Sequence, residues 1–107
     1  MKADSSRDIR IDTAGVVGAG VMGAGIAEVF ASAGLTVLLM DGDPGKARAS
    51  LEQIAKRRRA RAAAGKADPE AVEDLLSRIK PIERLEELAG ADLVVEAIVE
   101  RLEPKRE

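Results

Sequence analysis

The sequence predicts an α/β domain built on a parallel sheet, and three observations predict it. Short apolar runs alternate along the chain with longer stretches whose apolar residues recur every three to four positions. The run "TVLLMD", residues 36–41, lacks the apolar–polar alternation of a half-exposed strand and reads as one covered on both faces. Glycines and prolines fall at the seams between runs, where helices stop and start.

The elements follow in order. Residues 1–12, "MKADSSRDIRID", form a polar leader that carries acids and does not read as a signal peptide. Thr13–Val17 is a short apolar run bounded by glycine, a buried strand. Met22, Ile26, Val29, Phe30 and Ala33 then make one helical stripe, and Gly34 sits where a helix ends in the left-handed conformation. After the 36–41 strand, Asp43 and Pro44 read as an N-cap and a first helical position, with Ala47, Leu51, Ile54 and Ala55 as the apolar face and Gly65 as the stop. Asp68-Pro69-Glu70 repeats the start signal. Val72, Leu75, Leu76 and Ile79 supply the next face, which Pro81 ends, and residues 79–82 form a short strand. "ERLEELAG" is a short helix closed by Gly90, and "DLVVEAIV", residues 92–99, is the third clear strand.

Composition bounds the function. With 107 residues the chain makes one domain, 13–107 after the leader. A net charge of −2 gives no attraction to polyanions, and no apolar segment is long enough to span a membrane, so neither nucleic acid nor membrane is expected as a partner and the cytoplasm is the expected setting. There is no cysteine, which excludes disulfides and thiolate chemistry. There is no histidine either, so acid–base work would fall to carboxylates or lysine. No metal site is expected.

The densest signal is "GVVGAGVMGAGIAEVF", residues 15–30. Gly18-Ala19-Gly20-Val21-Met22-Gly23 fits G-x-G-x-x-G, follows a predicted strand and opens a predicted helix. In that setting Gly18 permits the tight turn, Gly20 lets a pyrophosphate approach the backbone, and Gly23 lets the helix lie close on the strand. The helix N-terminus offers unpaired N–H groups and partial positive charge, so a diphosphate binds without a basic side chain, and residues 15–30 have none. Gly25 and Ala27 extend the small face for helix–sheet contact. Asp41 follows Gly23 by 18 residues at the end of the second strand, where an acid accepts hydrogen bonds from the adenosine ribose and repels a 2′-phosphate. Gly42 follows with no arginine beside it, so NAD is expected over NADP; FAD shares the fingerprint. The fold class is then a Rossmann-type doubly wound parallel sheet of about four strands with flanking helices. Its order is 3-2-1-4, and the last strand lies on an open, apolar edge that invites pairing, so a homo-oligomer is one expected assembly.

From residue 13 onward the sequence resembles the N-terminal part of the 3-hydroxyacyl-CoA dehydrogenases. The residues that carry the likeness are "GVVGAGVMGAGIAEVFASAGLTVLLMD" and "ADLVVEAIVERLEPKRE", with "LLSRIKPIERLEELAGAD" between them. The second fits the family's D-L-V-[IV]-E-A-[IV]-x-E-x-L-x-x-K segment and is more specific than the glycines. The resemblance implies that Gly18, Ala19, Gly20, Val21, Met22 and Gly23 hold the pyrophosphate of NAD and Asp41 its adenosine ribose. It places Glu100 and Lys105 near the nicotinamide half and counts Ala97 with the cofactor-binding residues. On the residues alone, Glu100 and Lys105 read first as a solvated helix start with a stray salt bridge. Glu96, inside the strand, is expected to face a polar crevice or a helix N-terminus, because a lone buried carboxylate is costly.

The likeness spans nearly the whole chain but only a minor part of a complete family member, so the domain is incomplete beside it. The family's His–Glu pair, its substrate-contacting Ser and Asn and its helical dimerisation domain all lie downstream of the matched segment. The resemblance therefore implies the NAD-binding portion of an enzyme that oxidises (3S)-3-hydroxyacyl-CoA to 3-ketoacyl-CoA, with no catalytic residue of its own and no turnover by itself. A non-catalytic dinucleotide module, or the NAD domain of another hydroxy-acid dehydrogenase, are the alternatives. The basic run Lys56–Arg61 reads first as a solvated helix face and second as a diffuse phosphate patch for the CoA of the acyl-CoA substrate. Nucleic-acid binding is a third reading, with no aromatic side chain in the run to stack bases.

Overall fold

The computed structural model describes residues 10–97. Its elements are β1 (Thr13–Val17), α1 (Val21–Ser32), β2 (Thr36–Met40), α2 (Lys46–Ala63), α3 (Pro69–Arg78), β3 (Ile79–Pro81), a 3-10 helix (Leu85–Gly90) and β4 (Leu93–Glu96). The strands are all parallel and lie in the order β3-β2-β1-β4. The chain leaves β1 for β2 on one side and returns to β4 on the other. The carboxyl ends of β1 and β4 therefore flank the crevice at which the strand order reverses.

Alternation along the strands sorts the two faces. Ala14 and Val16 of β1 stand in register with Val37 and Leu39 of β2, all with no exposed surface. Val16, Val37, Leu39 and Ile79 pack against Ala27 and Ala31 of α1, Ile54 of α2, and Val72, Leu75 and Leu76 of α3. On the opposite face Leu88, from the 3-10 helix, packs over Gly15; a Cβ at Gly15 would sit 2.6 Å from Leu88 Cδ2. Leu38 and Met40 on that face are half-buried, so β2 is sealed on its helical side and only partly on the other. Asp92 ties β4 to β1 from outside the ladder: its Oδ2 accepts the N–H groups of Asp12 (2.9 Å) and Thr13 (3.0 Å).

Several sequence expectations meet a different outcome. The predicted stripe of α1 meets the core only in part: Ile26 and Phe30 are half-buried and pack against it. Gly23, Ala27, Glu28 and Ala31 are buried, while Met22 is 54% and Val29 66% exposed. Where α1 lies closest to the sheet there is room only for small side chains such as Gly23 and Ala27, so Met22 and Val29 turn outward. Gly25 is exposed and nothing lies within 4 Å of where its Cβ would be, so it takes no part in helix–sheet contact. Asp43 and Pro44 belong to a turn, and α2 begins at Lys46 after Gly45 at φ 79°. Asp68 caps α3 as expected, accepting from the N–H of Glu70 at 3.2 Å. That helix ends at Arg78, before Pro81, because Ile79 is already drawn into pairing beside Val37. Of the 92–99 strand, Leu93–Glu96 are paired and residues 98–99 lie outside the described residues.

Candidate nucleotide-binding site

The residues between β1 and α1 sit at the switch point of the sheet. Gly18 has φ 106°, a conformation that favours glycine, and its N–H donates to the Met40 carbonyl at 2.7 Å. This bond holds the turn against the end of β2. Gly20 is the N-cap of α1, and no side chain caps the helix. No acidic residue lies in its first turn. The first-turn N–H groups are left with no side-chain acceptor, and the macrodipole adds partial positive charge at the same spot. Nothing lies within 4 Å of where a Gly20 Cβ would be, so the approach to these donors is open. Val21 and Met22 are exposed beside it.

Gly23 faces inward. A Cβ there would overlap the carbonyl oxygen of Gly18 and lie 3.6 Å from the Ala97 Cβ. Ala97 is itself buried, and its N–H donates to the Val17 carbonyl at 2.8 Å, extending the β1–β4 ladder by one bond. Glu96 is exposed at the end of β4, in register with Val17.

Asp41 joins the second strand to the glycine turn. Its Oδ2 accepts the Ala19 N–H at 2.6 Å and its Oδ1 accepts the Asp43 N–H at 2.9 Å. Burial alone would raise this carboxyl, but the two N–H donors and the nearby Lys46 ammonium outweigh it and hold the group below the ordinary aspartate value. Asp41 is thus an ionised carboxylate with both oxygens anchored to backbone. Beyond it a cleft of about 160 Å³ is walled by Arg48, Pro81, Ile82 and Glu83. Ile82 is buried there because its N–H bonds the Leu39 carbonyl at 2.8 Å, which carries the chain past β3 along the crevice.

The structure therefore brings Gly18, Ala19, Gly20, Val21, Met22, Gly23, Asp41 and Ala97 to one crevice. Glu100 and Lys105 lie outside the described residues. The sequence reading missed the cleft walls, since Arg48, Pro81 and Ile82 carry no motif and meet only through folding.

It also missed Glu28. This carboxylate is 8% exposed on the inner face of α1, and two guanidiniums hold it: Arg57 in a two-pronged contact (3.1 and 2.9 Å) and Arg58 through Nε at 2.7 Å. Burial pushes its pKa up, and the two arginines more than reverse that. Arg59 pairs with Glu73 of α3 at 2.7 and 2.8 Å. The basic run is accordingly no uniformly solvated face: three of its cations lock α2 to α1 and α3. The available signal was the lone acid in a helix otherwise without charge, opposite a run of arginines.

Among the described residues, no three His, Cys, Asp or Glu side chains are grouped to hold a metal, and no helix is long and apolar enough to cross a membrane.

Comparison with known proteins follows the same outline. The chain is 44% identical over 98 residues to 3-hydroxyadipyl-CoA dehydrogenase of Escherichia coli, covering 92% of this chain and 21% of that protein. It is 40% identical over 96 residues to 3-hydroxybutyryl-CoA dehydrogenase of Bradyrhizobium diazoefficiens, covering 90% and 33%. Among solved structures, 3-hydroxybutyryl-CoA dehydrogenase from Escherichia coli K12 superposes with a TM-score of 0.80 at 42% identity, covering 86% of this chain and 20% of that one. The (S)-3-hydroxybutyryl-CoA dehydrogenase of Ralstonia eutropha gives 0.78 at 31% identity, covering 87% and 33%. The chain thus spans between a fifth and a third of the length of these relatives. Residues 13–107 match the family model described as "3-hydroxyacyl-CoA dehydrogenase, NAD binding domain". With the parallel sheet, the open helix mouth and the anchored carboxylate already in place, the chain belongs to the 3-hydroxyacyl-CoA dehydrogenase family and carries its NAD-binding domain.

Proposed function

We propose that the crevice holds NAD as follows. The backbone of Gly18, Ala19, Gly20, Val21, Met22 and Gly23 takes the pyrophosphate, Asp41 takes the adenosine ribose, and the cleft walled by Pro81 and Ile82 takes the adenine. Ala97, with Glu100 and Lys105, lines the nicotinamide half. The observation that carries this reading is the pairing of two features on one loop. The uncapped first turn of α1 opens on empty space at Gly20, and Ala19 in the same loop donates to the ionised Asp41 one strand away.

Each part has a chemical role. The first-turn N–H groups neutralise a diphosphate with fixed dipoles, which need no reorganisation on binding. Asp41 keeps acceptor capacity for ribose hydroxyls, because each oxygen receives only one backbone N–H. Bound NAD supplies a two-electron hydride acceptor, and the protein's contribution is to orient it and keep water from the reacting face.

In the complete protein this domain serves the oxidation of a (3S)-3-hydroxyacyl-CoA to the 3-ketoacyl-CoA, in fatty-acid or related acyl-CoA metabolism. The names of the relatives support that reading. The chain contains no histidine, so on this reading it binds cofactor and acyl-CoA turnover needs the rest of the enzyme.

Calorimetric titration of the full chain with NAD, NADP and FAD tests the assignment. NAD should bind, NADP should bind more weakly and FAD should not bind. Asp41→Ala should cut NAD affinity about tenfold, the scale of a lost hydrogen-bonded charged contact. Preferential uptake of FAD, or an Asp41→Ala variant with unchanged NAD affinity, would overturn it.

A further inference from the structure

Asp41 does not stand alone at the ribose end of the crevice. Lys46 and Arg48 lie in the first turn of α2, which follows the turn after Asp41. Lys46 is close enough to act on the Asp41 charge and also borders the open groove between α1 and α2. Arg48 lines the cleft beyond Asp41, with Pro81 and Ile82. Both side chains are exposed, and among the described residues neither makes a hydrogen bond or salt bridge to another side chain. The sequence neighbourhood of Asp41 shows no adjacent arginine, but after the turn at Asp43–Gly45 Lys46 comes near its charge and Arg48 shares the wall of its cleft.

We propose that Lys46 and Arg48 form a latent site for the 2′-phosphate of NADP, closed by the carboxylate of Asp41, so that this one residue decides between the two dinucleotides. The proposal rests on the reading that Asp41 faces the adenosine ribose. A 2′-phosphate would project from that ribose toward the β2–α2 turn, where a guanidinium and an ammonium are its natural partners. Asp41 stands in its way in two senses. Its charge repels the phosphate, and both its oxygens are bonded to backbone N–H groups, so it cannot swing aside. In the wild type Lys46 then serves to hold the Asp41 charge in place, and Arg48 only walls the cleft. Once that carboxylate is removed, the same pair meets a phosphate.

The experiment is titration of the full chain with NAD and NADP, for wild type, Asp41→Ser, and Asp41→Ser combined with Arg48→Ala or Lys46→Ala. Wild type should prefer NAD. Asp41→Ser should reverse the preference. Adding Arg48→Ala or Lys46→Ala should then lower NADP affinity about fivefold or more, and by clearly more than it lowers NAD affinity, since each removes one charge-assisted contact to the phosphate. NADP binding by Asp41→Ser should also weaken with salt more steeply than NAD binding. Asp41→Asn keeps the side chain's shape without its charge and should shift the preference the same way, which covers the case of Asp41→Ser failing to fold. Two results overturn the proposal while leaving the NAD site intact: an uncharged residue 41 that still prefers NAD, or cation variants that weaken NAD and NADP equally. A wild type that takes up neither dinucleotide overturns the site assignment itself.

Discussion

The Ala19 amide and the Asp41 carboxylate, 22 residues apart, meet at 2.6 Å and fasten the glycine turn to the end of β2. One hydrogen bond thereby sets the spacing between the phosphate-facing donors and the ribose-facing acid. Because Asp41 titrates below the ordinary aspartate value of 3.8, its charge persists through the usual carboxylate range. NAD affinity should be flat from neutral pH down to about pH 5, and a fall caused by Asp41 should come only near its depressed pKa. Fluorescence titration of NADH across that range checks it. A midpoint near pH 6 would place control on some other group.

Gly23 and Gly20 make a paired test of folding against binding. Gly23→Ala puts a methyl into the Gly18 carbonyl, backbone that cannot yield, and should cost about 1–3 kcal/mol or more together with NAD binding. Gly20→Ala meets open space and should leave the melting temperature close to wild type, while the methyl obstructs the diphosphate and weakens NAD. Thermal melts with parallel titrations separate the two. Equal destabilisation by both substitutions would contradict the packing described.

Glu28 is a stability determinant. Glu28→Gln keeps its shape but leaves Arg57 and Arg58 without their anion, and should destabilise by about 2–4 kcal/mol in chemical denaturation. Arg58, with 30% of its side chain exposed against 56% for Arg57, is the less screened partner, so Arg58→Ala should cost more than Arg57→Ala. The folded pKa of Glu28 lies below the ordinary glutamate value of 4.5, because Arg57 and Arg58 hold it ionised. Its contribution is therefore complete above the unfolded value and lost as pH falls through the lower folded one. The difference in stability between wild type and Glu28→Gln should be constant at neutral pH and shrink only in that acid window.

The outward apolar residues of α1, Met22 and Val29, are a surface liability rather than a source of stability. Val29 is 66% exposed, and a mostly apolar hollow runs between it, Ile26, Phe30 and Val95. Val29→Lys should change unfolding free energy by no more than about 0.5 kcal/mol and reduce self-association in light scattering. A large loss of stability would mean that the residue packs inside.

The strand and helix order, the switch-point topology and the glycine turn with its acid were legible in the sequence because each is local chemistry. Backbone at Gly18 needs a positive φ, an apolar run without alternation needs cover, and Asp68 before Pro69 caps a helix whatever surrounds it. Which face of α1 turns inward was not legible. A periodic stripe says that a helix has two faces, and only the tight approach of α1 to β1 decided that the small residues go in and Met22 and Val29 go out.

The same division holds for charge. The sequence by itself determined a dinucleotide turn, an acid at the end of the second strand and a cluster of arginines. Only the tertiary structure decided that two of those arginines hold the buried Glu28, and that Lys46 comes near Asp41 while Arg48 lines the cleft beside it. The physical reason is that turns and caps are written in neighbouring residues, whereas a charge takes its role from partners that only folding brings within a few ångströms.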